Sequence, residues 1–258
     1  MKRINIMIGL LLGVLSLGIA SCVKPSEELS APQNLQVEKR VLTWDEVKNA
    51  TGYVVFVNGT EYETTECNLD IHFLSEGGKY SLEVMTLGDG KSYTHSQWSE
   101  VTVTLEEAVA HGYDESGLEY TLLEDKSGYE VSKGNVNMKG VITIPDYFGD
   151  YPVTRIAEDA FVTNWTFSVP NPFTGGGMNA VTTGIKLPTY LQSIGKLSMA
   201  GLFYLEEIVI PNGVTVIEPW AFYGNLNLKR VVFPESLKEI GRWSFPIPQW
   251  KSLFFRKV

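Results

Sequence analysis

The second half of the chain repeats one mostly apolar phrase that ends in proline. It occurs as Ile142-Thr143-Ile144-Pro145, Ile185-Lys186-Leu187-Pro188, Ile208-Val209-Ile210-Pro211 and Val231-Val232-Phe233-Pro234. Strand side chains alternate between faces, so the first and third residues of each phrase share one face, which is apolar in every copy. Proline then ends the strand where its missing N–H leaves no gap in a ladder. The last three phrases start 23 residues apart, and an isoleucine follows each start by nine residues, at Ile194, Ile217 and Ile240. Five residues beyond these isoleucines, and beyond Ile156, stand Met199, Phe222, Phe245 and Phe161; Leu205 and Leu228 come six residues after Met199 and Phe222. A period in the low twenties is too short for a helical hairpin but suits one short strand and a return loop per coil. One such coil cannot bury its own apolar face, so the apolar positions must recur for neighbours to cover each other. The pattern predicts a solenoid over residues 118–258 with an apolar spine.

The first half has a different rhythm. Short β-rich runs at 35–37, 41–44, 53–57, 80–84 and 101–103 are separated by Asn58-Gly59, Gly77-Gly78 and Gly88-Asp89-Gly90. Period-two patterning over five runs predicts an antiparallel sandwich over residues 32–105, with Asn58-Gly59 as a tight hairpin turn. Residues 106–117 form the expected junction, within an acidic stretch reaching Asp125 whose pattern is partly helical. The runs 118–122 and 128–131 read as strands leading into the repeats.

Composition and the N-terminus bear on location. Lys2 and Arg3 precede an apolar run over 4–19, which ends in Ile19-Ala20-Ser21-Cys22. A positive head, a short apolar core and small closing residues describe a secretory signal over 1–21, not a membrane span. Residues 22–31, rich in Pro, Ser and Glu, read as a tether. The chain has 21 basic and 30 acidic residues, which argues against nucleic acid as a partner because that needs a concentrated basic footprint. Only Cys22 and Cys67 are present, so Cys67 reads as a buried strand residue outside any disulfide framework.

Three resemblances sharpen this reading. Ile19-Ala20-Ser21-Cys22 resembles the lipobox of bacterial lipoproteins, which implies cleavage before Cys22, lipidation of that residue and membrane attachment through the anchor. Val23 in place of aspartate, with Glu27-Glu28 nearby, implies an outer-membrane, outward-facing address by the same analogy. Trp44 after Val41-Leu42-Thr43, the run from Ala50 to Val57, Gly78-Lys79-Tyr80 and Ser96-Gln97-Trp98-Ser99 resemble the fibronectin type III fold, which makes Trp44 and Tyr80 core markers. The Ile-x-Ile-Pro strands, with Ala160-Phe161 and Ala221-Phe222, resemble the BspA-like leucine-rich repeats of bacterial surface proteins. The implied fold is mainly β: a fibronectin type III-like sandwich followed by a short leucine-rich-repeat solenoid with one short strand per coil. Family resemblance also implies attachment to matrix proteins and co-aggregation.

Candidate chemistry is sparse. His72, His95 and His111 are far apart in sequence, and the chain has no His-Glu-x-x-His, Gly-x-Ser-x-Gly, Cys-x-x-Cys or phosphate-loop motif, so neither catalysis nor a cofactor or metal is expected. The segment Asn171-Pro172-Phe173-Thr174-Gly175-Gly176-Gly177 reads as a surface excursion. Phe254 falls where a further strand should start, and Leu253-Phe254-Phe255 reads as an uncapped apolar end, a truncation or an interface. The ligand candidates are aromatic: Trp220 and Trp243 lie 23 residues apart and are expected to stack on one face, with Tyr204 and Trp250 in nearby loops. The leading expectation is a non-catalytic surface lipoprotein that binds host or neighbouring-cell macromolecules, adhesin-like. Its rival is a glycan-binding accessory lipoprotein of a nutrient-uptake system.

Overall fold

The computed structural model describes residues 26–162 and 181–245 and the backbone of Phe254–Lys257, and every regular element among them is a strand. Cys22, the glycine-rich excursion and Trp250 lie outside the described residues. The first half contains β1 (Glu27–Glu28), β2 (Gln36–Glu38), β3 (Val41–Thr43), β4 (Gly52–Val57), β5 (Thr60–Thr64), β6 (Asn68–Asp70), β7 (Gly78–Leu87), β8 (Tyr93–Thr94) and β9 (Trp98–Leu105). Two antiparallel sheets, in the orders β2-β3-β6 and β5-β4-β7-β9, share a core that includes Leu42, Trp44, Tyr53, Val55, Leu82 and Val84. Strands β1 and β8 add a short parallel pair.

Local chemistry accounts for the sandwich. Asn58 and Gly59 take φ values of 51° and 83°, the left-handed pair that lets β4 turn directly into β5. Trp44 packs edge-on against Tyr53 with ring centroids 5.2 Å apart. Tyr80 is only half-buried, with its hydroxyl donating to the carbonyl of Glu76 at 3.0 Å, so it fixes a corner at the rim of the core. Cys67 departs from expectation: it is half-buried in a bend before β6, where its thiol approaches the Tyr53 hydroxyl at 3.6 Å. Strands β5 and β6 are too polar, and β6 too short, to show an apolar alternation in the sequence.

The second half begins with an antiparallel lead-in of β10 (His111–Tyr113), β11 (Glu119–Leu122) and β12 (Tyr129–Ser132). The partly helical pattern of the junction is not realised. His111–Tyr113 pairs with Glu119–Thr121 instead, because strand pairing outweighs the weak local propensity.

Two parallel ladders follow. One holds the proline-terminated phrases at β13 (Lys139–Thr143), β16 (Val181–Lys186), β18 (Glu207–Val209) and β20 (Arg230–Phe233), followed by β22 (Phe254–Lys257), and it pairs as two sheets, β13-β16 and β18-β20-β22. The other continues from β12 through β15 (Tyr151–Ile156), β17 (Ser193–Ile194), β19 (Val216–Ile217) and β21 (Glu239–Ile240), while β14 (Tyr147–Phe148) forms a hairpin with β15. Each full coil thus carries a second, two-residue strand beside the expected one. Its isoleucines align in register: Ile156 with Ile194, Ile194 with Ile217, and Ile217 with Ile240. A strand does begin at Phe254, but the register slips by one residue, with Val231 opposite Phe255 and not Phe254.

The spine is fully interior. Phe161, Met199 and Phe222 are 0% exposed and Phe245 is 1% exposed, and the Phe222 and Phe245 rings stack with centroids 5.0 Å apart. Asn225 is also buried, accepting from the Leu202 amide at 2.8 Å and donating to the Met199 carbonyl at 3.0 Å, so it ties one coil to the previous one.

Sandwich and solenoid meet through polar contacts. The β2–β3 turn is made by Lys39 and Arg40, both with positive φ, and Arg40 is 1% exposed. Its guanidinium donates to the carbonyls of Leu74 and Glu106 and lies 4.5 Å from the centre of the Tyr151 ring. Burial pushes the Tyr151 phenol above its ordinary pKa while the Arg40 charge pulls it back. Beside it the Lys39 ammonium donates to the Gly149 carbonyl at 2.9 Å and the His72 Nε2 sits 3.1 Å from the Asp150 carbonyl.

Two outcomes are expected. Phe222→Ala removes a buried ring from the middle of the spine and should destabilise the solenoid by about 3–5 kcal/mol in chemical denaturation. A loss below about 1 kcal/mol would contradict the repeat register. Arg40→Ala leaves two carbonyls without their charged donor and should cost about 2–4 kcal/mol, separating the melting of the two cores in calorimetry. An unshifted single transition would remove Arg40 from that role.

Candidate functional site

After each of the strands β15, β17, β19 and β21 the chain turns a corner through a residue in the left-handed conformation. The corner residues are Asp159 (φ 54°), Leu197 (φ 53°), Trp220 (φ 61°) and Trp243 (φ 61°). The next two residues enter the core, as Ala160-Phe161, Ser198-Met199, Ala221-Phe222 and Ser244-Phe245. The corner has its own hydrogen-bond ladder. The amides of Asp159, Leu197 and Trp220 donate to the carbonyls of Lys196, Pro219 and Arg242 at 3.0, 3.2 and 3.0 Å. Trp220 and Trp243 therefore occupy equivalent places on neighbouring coils, as their spacing predicts.

Their environments differ. Leu197 is 6% exposed, Trp220 is half-buried and Trp243 is 38% exposed. The two indoles make no ring contact with each other among the described residues, so the expected stacking is replaced by two separately presented rings. The Arg242 guanidinium lies 5.4 Å from the centre of the Trp243 ring and occupies one of its faces. At the start of the row the Lys196 ammonium donates to Glu158 at 2.6 Å, and this contact raises the Lys196 pKa.

Tyr204 belongs elsewhere. It is 51% exposed in the turn leading into β18, and its equivalent one coil on, Asn227, donates to the Phe203 carbonyl at 2.6 Å. Among the described residues no cluster of three His, Cys, Asp or Glu side chains is arranged to hold a metal. The site's means are therefore shape, apolar area and a few charges.

The backbone gives the corner its significance. A left-handed conformation costs a side chain roughly 1–2 kcal/mol, and bulky residues are rare there. Aspartate tolerates it better, and it fills the first corner. Burial offsets the strain fully at Leu197 and only in part at Trp243, which keeps 38% of its surface exposed. None of this was legible in the sequence, where Pro219-Trp220 and Arg242-Trp243 carry no glycine or asparagine signal.

The contrast can be measured. Trp243→Gly should lower stability by no more than about 1 kcal/mol, because the strain relieved offsets most of the burial lost with the ring. Leu197→Gly relieves the same strain but empties a buried site, and should lower stability by about 1–3 kcal/mol. Equal losses in denaturant titration would mean that Trp243 is a core residue.

Comparison with known proteins covers parts of the chain. Residues 178–257 match the family model described as BspA type leucine rich repeat region (6 copies). A leucine-rich repeat protein from Bacteroides capillosus is 20% identical over 57% of this chain and 99% of its own, with a TM-score of 0.43. The leucine-rich repeat protein of T. pallidum is 23% identical over 52% of this chain and 65% of its own, with a TM-score of 0.38. The structure titled FN3tt mut is 20% identical over 30% of this chain and 94% of its own, with a TM-score of 0.25. No curated protein matches the chain. The repeats that fill residues 178–257 are thus of the BspA leucine-rich type.

Proposed function

We propose that this chain is a non-catalytic lipoprotein of the outer membrane, held by lipid on Cys22, which presents its repeats outward to bind a protein of a host or neighbouring cell. The observation that carries the reading is the tryptophan corner. Two indoles sit on neighbouring coils in a backbone conformation that disfavours bulky residues, and the more exposed one keeps 38% of its surface open. Strain retained at a surface position points to what the side chain presents. Aromatic rings bury large area with little rotamer entropy, which suits a protein contact. Arg242 leaves one indole face for a partner and sets a guanidinium beside it, a pairing that suits the carboxylates of a protein. The fibronectin type III-like reading of the first half, supported by its two-sheet order and the Tyr80 corner, makes it a spacer between anchor and repeats.

The anchor reading rests on Ile19-Ala20-Ser21-Cys22. Several acyl chains on one residue hold firmly, because each buried methylene contributes roughly 0.8 kcal/mol. Mass spectrometry of the membrane-extracted protein should find acyl groups on Cys22; an unmodified thiol would remove the anchor. The ectodomain, tested on a matrix-protein panel beside a glycan array, should capture protein. Replacing both Trp220 and Trp243 with Ala should weaken capture by about tenfold or more with little loss of stability. Undiminished capture would dissociate the corner from binding.

A further inference from the structure

The ladder of proline-terminated strands is broken at one place. Strands β13 and β16 pair with each other, and β18 pairs with β20, but β16 and β18 belong to separate sheets although they are consecutive in the repeat. The other ladder runs unbroken past the same point, with Ile194 opposite Ile217. The rung that is lost can be named. The amide of Ile144 donates to the Lys186 carbonyl at 3.0 Å and that of Ile210 to the Val232 carbonyl at 2.9 Å. The equivalent amide of Leu187 has no backbone partner among the described residues.

A groove of about 560 Å³ opens at this seam, within the ~300–1,000 Å³ range of ligand sites. Its floor is set by Gly184, which occupies the place that Glu207 and Arg230 hold one and two coils later. The walls are apolar: Val141 and Val209, respectively 57% and 53% exposed, with Leu187 and Pro211. Its charges are unequally engaged. Glu207 is neutralised by Arg230 at 2.6 Å, and the Asp146 carboxylate beside the groove accepts from the amide and hydroxyl of Thr189 at 2.7 and 3.2 Å. The Lys186 ammonium and the Asn212 amide, both lining the groove, have no hydrogen bond or ion pair among the described residues.

We propose that this groove is a second binding site, for an extended peptide that carries a carboxylate between branched apolar side chains. The carboxylate pairs with Lys186, the one unmatched charge of the groove among the described residues. An apolar side chain fills the space over Gly184, between Val141 and Val209. The Asn212 amide offers a donor and an acceptor together, the complement of a peptide group. The net charge of −9 repels acidic partners at long range, but screening beyond ~8 Å leaves the local pair to decide. The site does not rest on the tryptophan corner.

Fluorescence anisotropy of the whole protein tests it, with a labelled pentapeptide that places glutamate between two valines. Saturable binding is expected, at least about tenfold weaker for the glutamine counterpart. Gly184→Val is the direct block: its Cβ would meet Val141 at 3.4 and 3.6 Å, ordinary contact, and an unchanged thermal melt checks that its two methyls are accommodated. That variant and Lys186→Glu should each lose at least about tenfold in affinity. Lys79→Glu, the same charge change on the sandwich, should bind as the parent does. Absence of saturable binding, equal affinity for the glutamine peptide, full binding by Gly184→Val, or displacement by free glutamate at equal concentration would each overturn the proposal.

Discussion

Hydrogen bonding from each coil to the next is the constraint on which the second half of this protein depends. Among the described residues a coil of 23 residues contributes strands and no helix, so its extended backbone must find partners above or below while its turns close on themselves. Three sides of the coil do this: the proline-terminated strand, the two-residue strand and the left-handed corner. Stacking then places Phe161, Met199, Phe222 and Phe245 in one column, with Asn225 bridging coils where the backbone alone does not. At the N-terminal end the antiparallel strands β10 and β11 cover what would otherwise be an open edge.

The same constraint explains how surface and core can be separated. Inward positions are dictated by the column, while corners and outward strand positions have only their backbone conformation fixed. Asp159, Leu197, Trp220 and Trp243 share one φ and one ladder yet differ in size and polarity. Gly184, Glu207 and Arg230 likewise share one outward row. Such a scaffold holds its shape while its outward side chains are free to vary, which is what a binding surface requires. Arg40 over the Tyr151 ring, Lys39 at the Gly149 carbonyl and His72 at the Asp150 carbonyl then join this scaffold to the sandwich.

What the sequence revealed follows from what repeats. The isoleucines at 194, 217 and 240 and the aromatic column were legible because burial imposes period and residue type together. The turn at Asn58-Gly59 was legible because positive φ selects those residues. Strands β5 and β6 were not, since polar edges carry no apolar alternation. The second strand of each coil is two residues long, too short for any periodicity. Arg40 and His72 met Tyr151 only through the tertiary fold, and a buried arginine leaves no local signal. The corner position of the two tryptophans was readable from their spacing, but their separate presentation was not. The groove was invisible for a different reason: it arises from a rung that fails to form between segments that look alike in sequence.

Amide hydrogen exchange tests the coil-to-coil account most directly, because it reads individual rungs. Ile144, Leu187 and Ile210 occupy one position in successive phrases, and among the described residues only the first and last donate to a neighbouring coil. The account predicts slow exchange at Ile144 and Ile210, slow exchange at Gly195 and Glu218 on the continuous ladder, and fast exchange at Leu187. Protection at Leu187 equal to that of Ile144 and Ile210 would close the seam and contradict it.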